Sequence, residues 1–151
     1  MQAHQAFRFE LDTSSTTRSA LSFHAGASRF AYNWGLALLK DRLEVRQALE
    51  VLAMCQGAGA GKARTWAAET VGPVPWTLYS LRKEWNRSKA DVAPWWKENS
   101  KEAYNSGLDA LARALKGYFD SRGSARAGKP MGFPSFKKKG GAGKAAASAP
   151  G

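Results

Sequence analysis

The sequence predicts a mainly α-helical protein: a helical bundle preceded by a short N-terminal β-strand and followed by a basic C-terminal tail. Three observations carry this expectation. From Ser14 to about Leu52 the chain has no proline and is dense in Ala, Leu, Arg and Glu, a composition that favours helix. From Asn99 onward, Tyr104, Leu108, Leu111, Leu115 and Phe119 recur every three or four residues, as one face of a helix does. Beyond Phe119, the stretch from Arg122 to Lys144 is rich in Arg and Lys and contains no acidic residue.

The start of the chain, Phe7-Arg8-Phe9-Glu10-Leu11, alternates apolar and charged residues. That period of two predicts a strand within residues 1–13, with Phe7, Phe9 and Leu11 facing inward. Ser14, Ser15, Thr16 and Thr17 then supply side chains that cap a helix N-terminus. The following helix carries two apolar tracks. One runs Phe23, Ala27, Phe30, Trp34, Leu38; the other runs Leu21, Ala25, Tyr32, Leu36, Leu39, Leu43. A helix apolar on two sides is packed between neighbours. A break near Asn33–Gly35 is allowed for by the glycine.

Arg18, Arg29 and Lys40 on this helix are spaced by 11 residues. Eleven residues return a helix to within about 20° of the same direction. The three cations would span about 33 Å, either as a solvated face or as a row that meets several phosphates along one groove. Ser22 and Asn33 share that face.

Gln56 to Ala63 reads as a flexible linker by composition. Its Gly59-Ala60-Gly61-Lys62-Ala63 is not a phosphate-binding loop: the first glycine is misplaced, and Ala63 stands where Ser or Thr would hold magnesium. Val74-Pro75-Trp76-Thr77 opens a further helix with Thr77 as cap, and Leu78, Leu81 and Trp85 form its apolar stripe. The tandem Trp95 and Trp96 plug a helix corner, with stacking of one of them on a base as the lesser reading. Asn99-Ser100-Lys101-Glu102 resembles a capping box with Asn99 as cap. Gly107 lies on the apolar face of the last helix, where a missing side chain admits another backbone.

The domain plan is a strand at 1–13, a helical lobe at 14–120 with its linker at 56–63, a basic docking segment at 121–139 and a disordered tail at 140–151. In the docking segment, Gly132-Phe133-Pro134-Ser135-Phe136-Lys137-Lys138-Lys139 interleaves aromatics with cations. Phe133 and Phe136 anchor it or stack on bases, and the lysines meet phosphates.

Composition narrows the function. The 151 residues include 23 Lys+Arg against 12 Asp+Glu, a net charge of +11, yet 44% are hydrophobic. That is a folded chain with room for one core rather than a disordered polycation. The charge points to a polyanion, nucleic acid ahead of a membrane surface. No apolar run reaches membrane-span length, and Met1 to Glu10 has no signal-peptide core. Cys55 is the one cysteine, so neither a disulfide framework nor a CxxC knuckle is expected, and a reducing cytoplasm fits. His4 and His24 are the only histidines, and the acids are scattered over helix surfaces. No catalytic residue, metal site or cofactor is therefore expected.

The order of these elements resembles the N-terminal part of the TnpB (OrfB) proteins of bacterial insertion sequences, relatives of the type V CRISPR effectors. The resemblance rests on Ser28-Arg29-Phe30-Ala31-Tyr32-Asn33-Trp34-Gly35-Leu36-Ala37, the two later helices and Gly132 to Lys139, and covers about residues 5–140. It implies a region commonly labelled helix-turn-helix, with a helical lobe and the first part of a β-barrel that hold guide RNA and target DNA. It implies nucleic-acid binding for Arg29, Asn33, Lys137, Lys138 and Lys139, with Tyr32, Trp34, Phe133 and Phe136 as scaffold or stacking residues. Arg18 and Lys40 join the binding set from the 11-residue spacing.

Full-length proteins of this family continue into a RuvC-like nuclease with three acidic metal ligands and a zinc ribbon, neither of which is in this sequence. The expectation is a non-catalytic nucleic-acid-binding fragment of a truncated TnpB-like frame, with guide-type RNA or duplex DNA as partner and no membrane. Two alternatives accompany it. One is the front part of an RNA-guided DNA endonuclease that is active only with its nuclease half. The other is a stand-alone DNA-binding regulator that dimerises through the 100–119 helix.

Overall fold

A 41-residue helix, α1, runs unbroken from Ser15 to Cys55 and spans about 61 Å. The computed structural model describes residues 5–9, 13–123 and 127–140. Around α1 are arranged α2 (Ala60–Val71), α3 (Leu78–Val92), a 3₁₀ turn at Trp96–Glu98 and α4 (Lys101–Arg122). Ser14 caps α1 by accepting from the Thr17 amide. No break occurs at Asn33–Gly35. Gly35 stays helical because its bare Cα faces the core: a Cβ there would lie 2.8 Å from Leu111 Cδ2. Close packing, not a turn, accounts for that glycine.

α1 and α4 make the most extensive helix contact. They run in the same direction, with Ser28 and Tyr32 beside Gly107, and Gly35 beside Leu108 and Leu111. At Gly107 the backbones nearly touch. A Cβ would overlap the Ser28 carbonyl and sit 3.1 Å from the Tyr32 nitrogen. α3 packs antiparallel to α4, as Trp76 against Phe119 and Trp85 against Tyr104 show. Leu36, Leu39, Leu81, Leu108, Leu111 and Leu115 are completely buried where these three helices meet, each contributing about 1.5–3 kcal/mol. Trp85 fills the end of this core, edge-on to Phe30 and Trp34.

α2 was not anticipated. Its first turn takes in Ala60–Ala63, inside the segment read as linker. Alanine is the best helix former, and Ala63 and Ala67 are buried. Such small residues let α2 lie close on the end of α1. The pairing is antiparallel: Arg64 bonds Glu50 at 3.4 Å near the turn. Further along, Arg46 donates to the Gly72 carbonyl and Arg42 to the Pro73 carbonyl at 2.6 Å. Gly72, at φ 82°, ends α2 in the left-handed region that favours glycine.

Two further expectations are corrected. No strand forms at residues 5–9, and Phe7 and Phe9 are exposed rather than turned inward. A single strand with no sheet beside it leaves its backbone groups unpaired. Leu11 and the tail from 141 lie outside the described residues. The cap of α4 is Ser100, one residue later than read, accepting from the Ala103 amide. Thr77 caps α3 as expected, in a reciprocal box with Ser80.

The α4 apolar stripe is consumed by this core. Tyr104, Leu108, Leu111 and Leu115 are buried within the chain, and only Phe119 at its end is largely exposed.

Candidate nucleic-acid interface

The basic segment returns along α1 in the opposite direction. Met131 is held by Ser121, whose hydroxyl accepts from the Met131 amide at 2.9 Å. Phe133 then sets its ring edge-on to Tyr118 with centroids 5.2 Å apart, and Pro134 is buried. Phe136 lies beneath the Lys40 ammonium, 4.8 Å from it. At Lys137 the backbone amide donates to Asn33 Oδ1 at 2.8 Å, and the Asn33 Nδ2 donates to the Lys137 carbonyl at 2.9 Å. The Lys137 ammonium rests 4.3 Å above the Tyr32 ring. Burial pushes the Tyr32 phenol above its ordinary value of 10.0.

These anchors carry Lys137 and Lys138 to Arg29. The three line one shallow groove with Ala25 and Ser28. Lys139 continues to a neighbouring cleft that Arg29 also lines. Among the described residues, no carboxylate pairs with Arg18, Arg29, Lys40, Lys137, Lys138 or Lys139. The contrast with other cations is clear: Arg42 bonds Glu84 at 3.0 Å, and Arg113 and Lys116 pair along α4 with Asp109 and Asp120. Arg29, Lys137 and Lys138 line their groove with no carboxylate in its walls, Glu98 standing only in the neighbouring cleft; like charges so gathered repel one another, and an anion relieves that repulsion.

The residues singled out in the sequence thus divide. Arg29, Lys137, Lys138 and Lys139 converge, and Lys40 joins their edge through Phe136. Arg18 lies about 16 Å further along α1 by helical rise, exposed and apart from the cluster. The Asn33 amide is occupied by the Lys137 backbone and positions the basic segment. Tyr32 is buried, Trp34 packs edge-on to Trp85, and Phe133 is half-buried against Tyr118. Phe136 is half exposed.

Two groups lie outside the set of binding residues expected from the sequence. Trp95, 44% exposed, and Phe23, 69% exposed, stand in the cleft next to Arg29. The tandem tryptophans read as corner plugs, which describes Trp96: it is packed against the core with the Lys89 ammonium 4.0 Å above its ring. On α3, Tyr79, Arg82, Lys83, Asn86 and Arg87 line a second basic groove. The spacing of Arg82, Lys83 and Arg87 was the available signal.

Among the described residues no group of three or more His, Cys, Asp and Glu side chains is placed to hold a metal ion. No helix of the described chain is long and apolar enough to cross a membrane.

Comparison with known proteins fits this arrangement. Residues 1–48 match the family model of the IS605 OrfB type, described as a helix-turn-helix domain. The chain carries an OrfB-type N-terminal region. The matched stretch ends inside α1, and the turn at Gln56–Gly59 with α2 follows it. Over 143 residues the chain is 34% identical to the "Putative RNA-guided DNA endonuclease Rv2885c" of Mycobacterium tuberculosis strain ATCC 25618 / H37Rv. The same identity relates it to the "Putative RNA-guided DNA endonuclease MT2953" of strain CDC 1551 / Oshkosh. Each alignment takes in 90% of this chain and 27% of the relative, so the chain spans about a quarter of their length. No solved structure matches the chain significantly.

Proposed function

We propose that this chain is a non-catalytic nucleic-acid-binding module: the N-terminal portion of a TnpB-like, RNA-guided DNA endonuclease that grips the phosphates of RNA or DNA. One observation carries the reading. Arg29 and Lys137–Lys139 come from opposite ends of the chain, are brought together by dedicated anchors, and meet no carboxylate partner among the described residues. The relatives' names, both of RNA-guided DNA endonucleases, support the choice of nucleic acid over other polyanions.

Filter binding of a structured RNA and a duplex DNA over a salt series tests the proposal. Affinity should fall steeply with salt, because each phosphate contact releases counterions. Arg29→Ala and Lys138→Ala should each lower the salt slope by about one and weaken binding across sequences. Absence of binding at low salt, or binding unchanged by about 0.3 M salt, would overturn it. Which of RNA and duplex DNA binds more tightly identifies the preferred partner.

The reading as a self-sufficient regulator that dimerises through the 100–119 helix loses its interface, since that helix spends its apolar face in the core.

A further inference from the structure

We infer that the cleft between the first turns of α1 and the 3₁₀ turn is a site for one unpaired nucleotide, with a preference for bases that carry an exocyclic amine. This inference rests on the nucleic-acid reading above and goes beyond phosphate contact to the base. The cleft has a volume of about 460 Å³, within the range of small-molecule sites. Phe23 and Trp95 offer it two exposed aromatic side chains, while Arg29 and Lys139 bring charge to the same space. Trp95 is fixed on one side by Phe30, edge-on with centroids 5.4 Å apart. A ring so held loses little freedom when a base stacks on it, and base–aromatic stacking needs a base free of its own duplex. A double helix presents only its groove edges, so the occupant is single-stranded RNA or DNA.

The remaining polar groups give the base preference. Glu98 and Asn99 line the cleft too. An ionised carboxylate only accepts hydrogen bonds. Glu98 can accept from the exocyclic amino groups of adenine, cytosine and guanine, whereas uracil and thymine offer it only their ring N3–H, flanked by two carbonyl oxygens that repel it. A carboxylate is ill placed for a phosphate groove and well placed for a base edge.

The probe is a 12-unit ribose strand that is abasic except for a single central 2-aminopurine, whose fluorescence is quenched by stacking, together with its deoxyribose counterpart. Two control strands in the same abasic frame carry uracil at the centre or no base at all. Binding should quench the probe, and the strand with no base should bind roughly 5- to 100-fold more weakly. Trp95→Ala should remove the quenching and Trp95→Phe should retain part of it, with helical circular dichroism unchanged. Glu98→Gln, which can donate as well as accept, should erase the advantage of 2-aminopurine over uracil. The RNA and DNA arms report which sugar the cleft prefers. Equal binding of the strand with no base and the 2-aminopurine strand by the unaltered protein overturns the inference without needing any variant to fold. If that binding keeps its steep salt dependence, the phosphate reading survives; if no strand binds at low salt, both fall.

Discussion

Asn33 and Lys137, 104 residues apart, are joined by two hydrogen bonds that use one donor and one acceptor of the asparagine amide against the backbone of the lysine. The side chain thus takes the place of a neighbouring strand. It fixes the basic segment on α1 without spending the Lys137 ammonium, which stays above the Tyr32 ring.

Replacing Asn33 by Ala should release this segment. Two hydrogen bonds are worth about 1–2 kcal/mol together, a shift of roughly 5- to 30-fold in the docked fraction. Amide exchange at Lys137 should quicken accordingly while the amides of α4 keep their protection. Asn33→Asp keeps the acceptor but sets a carboxylate against the Lys137 carbonyl, and should be no better. Unaltered exchange at Lys137 in both variants would refute the docking role.

The two core glycines should respond differently to alanine. At Gly107 the added methyl meets the α1 backbone at Ser28 and Tyr32, which cannot retreat without separating the helices. A loss of about 3 kcal/mol is expected. At Gly35 the obstacle is the end of the Leu111 side chain. A rotamer change offsets the gain in helix propensity there, so the net effect should stay within about 1 kcal/mol. Urea denaturation of the pair distinguishes them, and equal losses would contradict the geometry.

Tyr104 is buried, with a hydroxyl that meets no hydrogen-bond partner. Burying an unpaired hydroxyl costs stability. Tyr104→Phe should therefore raise the unfolding free energy by about 1 kcal/mol, read by thermal or urea melts. A destabilised variant would mean that the hydroxyl is bonded to water.

Tyr32 supplies a pH dependence. Burial raises its pKa in the folded chain above 10.0, so its neutral form is favoured by folding. The resulting stability is complete below pH 10.0 and is lost as pH climbs through the raised value. Tyr32→Phe keeps the ring and removes the titration. Unfolding free energy between about pH 9 and pH 11.5 should fall more steeply in the unaltered protein than in the variant. Parallel curves would exclude this contribution.

How much of this was legible in the sequence follows from how local each feature is. The Leu108, Leu111 and Leu115 stripe, the Thr77 cap and the need for a bare Cα at Gly107 depend on spacing within one helix, and periodicity reveals them. α2 escaped because Gly59 and Gly61 make its start look like a linker, while what stabilises it is the burial of Ala63 and Ala67. The alternation near Phe7 forms no strand at residues 5–9, because no other strand stands beside it among the described residues.

The sequence by itself determined the class of the molecule. Composition made it helical and cationic, and the residue run around Arg29 lies in the stretch that matches the OrfB-type model. Only the tertiary structure decided which cations lie together, because charges far apart in the chain become neighbours through packing. Arg42 and Arg46 are spent on Glu84 and on the carbonyls at the end of α2. Arg29 and the three lysines remain unpaired among the described residues, and the contact between Asn33 and the Lys137 backbone holds them in one place.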